Sequence, residues 1–271
     1  MSGTAGGWPQ RIDSIAIESS PLDDGLALED ELLARAADGF SGARIWRSRP
    51  LLVVSKKYRA LADFDKAAAG SERRGMPVRV RRSGGGAVPQ GPGILNLSVA
   101  WRTSAGALAG SEDIYTTLCA LLAQALGLRG TATPSAVLGS FCDGRFNLAV
   151  GGRKIAGTAQ FWRRAGDGHV VLAHALVLAA IDPVALTAVL NAFEAEAGSP
   201  RRYAAGALTS VAVEHATGTL AVAGDDLERG VAERIFDSLL SRSANTVRPR
   251  ECLPAGGAGK KTTDREDVTC I

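Results

Sequence analysis

Between Arg145 and Leu178 two glycine turns, Gly151-Gly152 and Gly166-Asp167-Gly168, cut a β-patterned stretch into three consecutive strands. Turns this short and this rich in glycine reverse the chain directly, so the strands they join run antiparallel. Elsewhere helical and strand patterns are interspersed, and hairpin signals outnumber strand–helix–strand signals. The expected architecture is α+β, with a mixed, mainly antiparallel sheet flanked by helices. Glycine supports it: 32 of 271 residues is about 12%, against a usual ~7%, so many close backbone approaches are expected.

Four helices follow from apolar periodicity. The first covers 23–37, with two acidic residues at its start and Leu26, Glu29, Leu33 and Ala36 at helical spacing. A second runs from an N-cap at Ser111 through Ile114, Leu118, Leu121 and Ala125 to about Gly127. Pro183 opens a third, ending near Ala195, and Leu227, Val231, Ile235 and Leu239 mark the last. Further strands are expected at 43–47 and 51–55, joined by a Ser48-Arg49-Pro50 turn, at 78–81 and 94–100, and once or twice within 208–215. Residues 1–20 read as a loose arm. Residues 244–271 have no apolar period and read as a disordered tail, which holds Cys252 and Cys270.

Several function classes are excluded early. Lysine plus arginine exceed aspartate plus glutamate by 31 to 28, and a net charge of +3 argues against a nucleic-acid or membrane-surface partner. The longest apolar stretch, 170–181, is interrupted by His174 and stopped by Asp182-Pro183, short of the roughly 20 residues that span a bilayer. The first residues lack the basic end and apolar middle of a secretory signal, so a cytoplasmic location with reduced thiols is expected. Four scattered cysteines and three histidines offer no metal site or disulfide framework.

Two nucleotide-loop patterns fail on inspection. Gly259-Lys260-Lys261-Thr262 has Pro254 where a phosphate loop needs glycine, and Gly84-Gly85-Gly86 meets Pro89 and a strand rather than a helix. The run Arg81-Arg82-Ser83-Gly84-Gly85-Gly86-Ala87-Val88 instead offers bare backbone flanked by cations, where N–H groups can meet a ligand oxygen. A plain turn would need fewer glycines, each of which costs backbone entropy. Lys154 follows a hairpin turn and precedes the small residues Ala156, Gly157 and Ala159; taken alone, such a lysine reads as a solvated strand-end cation.

The glycine loop, then Gly93-Ile94-Leu95-Asn96-Leu97-Ser98, Gly152-Arg153-Lys154-Ile155-Ala156-Gly157-Thr158-Ala159-Gln160 and Leu172-Ala173-His174, resemble in order the biotin/lipoate protein ligase and octanoyltransferase family, over roughly residues 20–243. The resemblance implies a catalytic domain at 21–243 like the class II synthetase cores, joining lipoyl, octanoyl or biotinyl groups to one lysine of a small carrier. It implies that Gly84, Gly85 and Gly86, with Ser83 and Ala87, line an acyl pocket, to which Asn96, Gly157, Thr158 and Ala159 also belong. Lys154 would contact the acyl carbonyl or its leaving group, where a fixed cation stabilises developing charge. Arg81 matches one of the family's paired arginines, with Val80 at the other position. His174 matches its strand histidine, though Ala175 replaces the glycine that usually follows, and a core histidine reads as well.

Departures separate the subfamilies. ATP-using lipoate ligases typically carry His-Asp after the glycines and Asn-Asp-Leu before the lysine; here stand Gln90-Gly91 and Phe146-Asn147-Leu148. Two carboxylates that a divalent cation would favour are missing, which puts adenylation in doubt. Ser140-Phe141-Cys142 in turn resembles the carrier-to-carrier octanoyl amidotransferases, whose loop cysteine holds the acyl group as a thioester. A thioester keeps the carbonyl electrophilic without ATP and divides one exchange into two steps. The leading expectation is therefore Cys142 as nucleophile with Lys154 as its nearby cation and no cofactor. The alternatives are an ATP- and magnesium-dependent lipoate–protein ligase acting through lipoyl-AMP, and a non-catalytic acyl- or carrier-binding member. Partners implied are lipoyl domains or glycine-cleavage H-type carriers, with acyl carrier protein a further donor. Cys119, inside a helix beside the apolar stripe, reads as a buried hydrophobe. Arg163-Arg164 and Arg201-Arg202 read as solvated surface that could steer an acidic carrier.

Overall fold

The computed structural model describes residues 7–82, 84–216 and 227–243. Ser83, part of the expected pocket, and the tail at 244–271 lie outside them. In chain order the elements are β1 (Ser14–Ile17), α1 (Gly25–Ala37), β2 (Gly42–Trp46), β3 (Leu51–Ser55), α2 (Phe64–Arg73), β4 (Val78–Arg81), β5 (Val88–Gln90), β6 (Ile94–Thr103) and α3 (Ala107–Ala125). Then come β7 (Ala132–Ser135), β8 (Asn147–Val150), β9 (Arg153–Ala165), β10 (Gly168–Leu178), α4 (Pro183–Glu196), α5 (Val211–Ala216) and α6 (Leu227–Arg242).

Seven strands form the main sheet in the order β1-β2-β6-β10-β9-β8-β7, and β4-β3-β5 form a smaller one. The glycine turns do what their length requires: β8, β9 and β10 are antiparallel neighbours. Among the described strands only β1–β2 and β3–β4 pair in parallel, so the mainly antiparallel α+β architecture is the one observed. One face of the main sheet buries Val171, Ala173, Ala175 and Val177 of β10 against Leu118, Leu121 and Leu122 of α3 and Ile235 and Leu239 of α6. The opposite face carries α1, which packs Leu32, Leu33 and Ala36 over Ala100, Phe161 and Leu172. Among the described residues no helix is long and apolar enough to cross a membrane.

Local chemistry sets the helix starts. Asp24 caps α1 by accepting from the N–H groups of Leu26 and Ala27, and Asp182 caps α4 ahead of Pro183. The structure corrects four expectations. Helix α3 begins four residues before the expected cap at Ser111, because Gly110 N–H already bonds to Gly106 O. Strands β2 and β3 are not a hairpin: Leu22 N–H donates to Arg47 O and Leu22 O accepts from Arg49 N–H, and the chain passes from one sheet into the other. Residues 208–215 are not strands beyond a single bridge from Leu208 to Lys154; Ser210 Oγ accepts from Val213 N–H and starts α5. The segment expected to be a loose arm supplies β1, with Ile12 and Ile15 buried in the main core.

Ile15→Ala should therefore cost about 3 kcal/mol in urea unfolding, as for any core truncation. A shift near zero would mean that this segment is an appendage after all.

Candidate active site

Strand register opens a cavity on the α1 face of the main sheet. Along β10 the residues facing it are Leu172, His174 and Leu176, paired across β9 with Phe161, Ala159 and Gly157. Glycine and alanine at two successive inward positions leave a trough. The trough is continuous with a cavity of about 470 Å³ whose walls include Leu26, Leu33 and Trp46 on one side and the glycine and cysteine loops on the other.

The glycine loop is shaped by Arg81. Its guanidinium donates from Nε and Nη2 to Gly84 O at 3.2 and 2.7 Å, from Nη2 to Gly86 O at 3.0 Å, and from Nη1 to Val53 O at 2.8 Å. Arg81 lines the cavity as expected, but these donors clamp backbone rather than await a ligand. At Gly85, φ is +98°, and a Cβ would lie 2.8 Å from Arg81 Nη2 and 3.1 Å from Cys142 Sγ. A Cβ on Gly86 would meet the Tyr203 hydroxyl at 2.6 Å. The missing side chains are therefore occupied by the groups around the loop.

Cys142 is the one non-glycine among the described residues with positive φ, +48°. Such a conformation costs an L-residue about 1–2 kcal/mol, so the surroundings must impose it. Asn147 Nδ2 donates to Cys142 O and Gly144 O, both at 3.0 Å, and Lys154 Nζ donates to Phe141 O at 2.6 Å and Cys142 O at 3.3 Å. Lys154 is 1% exposed and its ammonium also lies 4.1 Å from the Phe141 ring centroid. Gly157 provides the clearance: a Cβ there would be 3.0 Å from Lys154 Nζ. Lys154 is thus no solvated strand-end cation. The side chain next to the thiol is Arg81, with Nη2 3.8 Å from Cys142 Sγ, while Lys154 holds the carbonyl of the same residue.

Other expected residues divide into walls and struts. Gly84, Gly85, Gly86, Gly157, Thr158, Ala159 and His174 line the cavity with Cys142 and Lys154. Asn96 does not: it is buried and exchanges two hydrogen bonds with the Gln90 amide at 2.8 and 3.0 Å. Ala87 is also buried and donates its N–H to the Tyr58 hydroxyl. Thr158 Oγ1 is committed to Phe146 O. His174 belongs to a network, with Nδ1 2.6 Å from Glu29 Oε1, Ser98 Oγ donating to that oxygen at 2.8 Å, and Trp46 Nε1 donating to Ser98 Oγ at 3.0 Å. Glu29, Trp46 and Asn147 were not expected at the site. For Glu29 a signal existed, since a carboxylate on the apolar stripe of a helix must meet a polar partner inside.

The family model for the lipoyl protein ligase A/B catalytic domain matches residues 22–212. An uncharacterized protein of Cupriavidus necator is 44% identical over 237 residues, 79% of this chain and 92% of that protein. An octanoyl-GcvH:protein N-octanoyltransferase of Kyrpidia tusciae is 36% identical over 212 residues, 75% of this chain and 73% of that protein. Among solved structures, lipoate-protein ligase A bound with ATP superposes with a TM-score of 0.61 over 85% of this chain and 86% of that one; at 20% identity the likeness speaks for the fold.

Burial pulls the pKa of Lys154 from an ordinary 10.5 down to about 8, against the opposing attraction of Cys142 and Asp143. In the unfolded chain the ammonium keeps its ordinary value, so between those limits the unfolded state binds more protons. Stability should rise with pH across that window, by at most about 3 kcal/mol, and carry the full penalty below it. Lys154→Met should remove this rise, read as the pH dependence of the difference between the two proteins' urea midpoints. A difference flat in pH would show that the ammonium is not desolvated.

Proposed function

The chain belongs to the lipoyl protein ligase A/B catalytic-domain family, and we propose that it transfers an octanoyl or lipoyl group to a specific lysine of a carrier protein through a thioester on Cys142. One observation carries this reading. Asn147, standing where ATP-using lipoate ligases place an aspartate, spends its amide N–H groups on the carbonyls of Cys142 and Gly144. A carboxylate has no proton to give and would repel both carbonyls. The substitution that removes a metal-favouring ligand is the one that holds the cysteine in its strained conformation.

The chemistry balances without a cofactor. Cys142 Sγ attacks the acyl carbonyl of the donor's acyl-lysine, the C–N bond breaks, and the thiol proton leaves with the departing amine. The acceptor lysine then attacks the thioester, the C–S bond breaks, and the amine's surplus proton returns to the sulfur. Lys154 has three N–H donors, two directed at Phe141 O and Cys142 O, which leaves the third for the oxyanion of each tetrahedral intermediate. The acyl tail lies in the trough over Gly157 and Ala159. The Kyrpidia relative's name points to the glycine-cleavage carrier GcvH as donor; other lipoyl domains would be acceptors, met in the cytosol. For the ligase alternative, Gly91 and Asn147 replace the two aspartates, so these residues do not fit a magnesium-bound nucleotide.

Mixed with octanoyl-GcvH and no acceptor, the protein should gain a hydroxylamine-labile octanoyl adduct on Cys142, seen by intact-mass analysis and lost in Cys142→Ala. Asn147→Asp should slow loading roughly 100-fold through misplacement of the thiol. Adduct-free protein with every donor, or lipoyl-AMP formed from lipoate, ATP and magnesium at an undiminished rate by Cys142→Ala, would replace this reading with a binding or ligase function.

A further inference from the structure

Behind the glycine loop, outside the cavity, lies a buried acid that the transfer chemistry does not use. Glu194, near the end of α4, is 0% exposed. Its Oε1 accepts from the Tyr58 hydroxyl at 2.5 Å and the Tyr203 hydroxyl at 2.7 Å, while Oε2 is buried with no hydrogen-bond partner among the described residues. Burial, and then the hydrogen bond to Glu194, push both phenols well above their ordinary pKa, so both remain O–H donors.

Each tyrosine reaches the glycine loop. The Tyr58 hydroxyl accepts from Ala87 N–H at 2.9 Å, directly after the three glycines, and the Tyr203 hydroxyl fills the space that a side chain on Gly86 would need. Tyr203 is itself fixed by Asn191, one turn before Glu194 on α4, whose amide bonds both its N–H and its carbonyl at 2.8 Å. The next residue, Ala204, donates its N–H to Gly139 O, three residues before Cys142. A buried carboxylate with a bare oxygen is costly, and packing alone would be served better by an apolar side chain.

We infer that Glu194 is a positioning residue for acyl transfer, gathering Tyr58 and Tyr203 so that the Gly86–Ala87 backbone is held at a fixed height over the thiol. This rests on the reading of Cys142 as the acyl carrier. Arg81 grips the loop by its carbonyls, and the Tyr58–Glu194–Tyr203 cluster grips it by an amide and by contact.

Two readouts test the inference on the full-length protein: amide hydrogen exchange at Ala87, and single-turnover loading of Cys142 from octanoyl-GcvH. In Tyr58→Phe, which removes the acceptor of Ala87 N–H, Ala87 exchange should quicken about tenfold while amides of β9 and β10 are unchanged, because one hydrogen bond of typical net strength is lost; Glu194→Leu, which releases the Tyr58 hydroxyl from its anchor, should quicken it in the same direction. Loading at saturating donor should slow roughly 100-fold with little change in the half-saturating concentration. Glu194→Gln, which keeps an oxygen for both hydroxyls, should restore most of that rate. Unchanged exchange, an unchanged loading rate, or a loss confined to half-saturation would each overturn the inference. Should Glu194→Leu fail to fold, Tyr58→Phe and Tyr203→Phe carry the same comparison. Wild-type protein that never loads would sink the transfer reading instead, and the exchange data alone would then decide whether Glu194 holds the loop.

Discussion

An ammonium group taken out of water must be solvated by the protein, and around Lys154 that is done by the backbone carbonyls of Phe141 and Cys142. Two consecutive carbonyls can converge on one point only if the chain between them bends sharply, and Cys142 adopts the left-handed conformation that allows it. Asn147 locks the bend from the side, and Gly157 gives the lysine stem its room. The thiol is thereby turned toward the cavity, beside Gly85 and the Arg81 guanidinium. The bend of the loop, its backbone strain and the placement of the thiol go together with one buried charge.

Glycine has a different task in each loop. On β9, Gly157 keeps space for a side chain of the same strand; at 85 and 86 the absent side chains give way to Arg81, Cys142 and Tyr203. The loop is bare because it is crowded, rather than because it is loose. That crowding also explains how a glycine-rich sequence can form a defined wall of the cavity, since its carbonyls and one amide are tied from opposite sides.

Much of this was legible in the chain. Two short glycine turns imposed the antiparallel β8–β9–β10 core, and the apolar stripes of α1, α3, α4 and α6 were clear because each covers at least three turns of helix. Short elements are not: α2, β5 and β7 carry no clear signal, and 208–215 reads as strand because its five apolar or β-branched residues fit either period. The first strand is hard to see for a related reason. Four residues at a sheet edge carry little pattern of their own, and their burial comes from β2 and α6.

Sequence alone determined which residue types were available: a glycine run, a loop cysteine, an asparagine a few residues after it, and a lysine beside small residues. It could do so because turn chemistry and side-chain chemistry are local properties. Only the tertiary structure decided that Lys154 grips the cysteine's carbonyl while Arg81 stands by its sulfur, that Glu29 reaches His174 across 145 positions, and that Glu194 backs the glycine loop. Those pairings join strands, helices and loops far apart along the chain, and hydrogen bonds a few ångströms long leave no periodic trace in the order of residues.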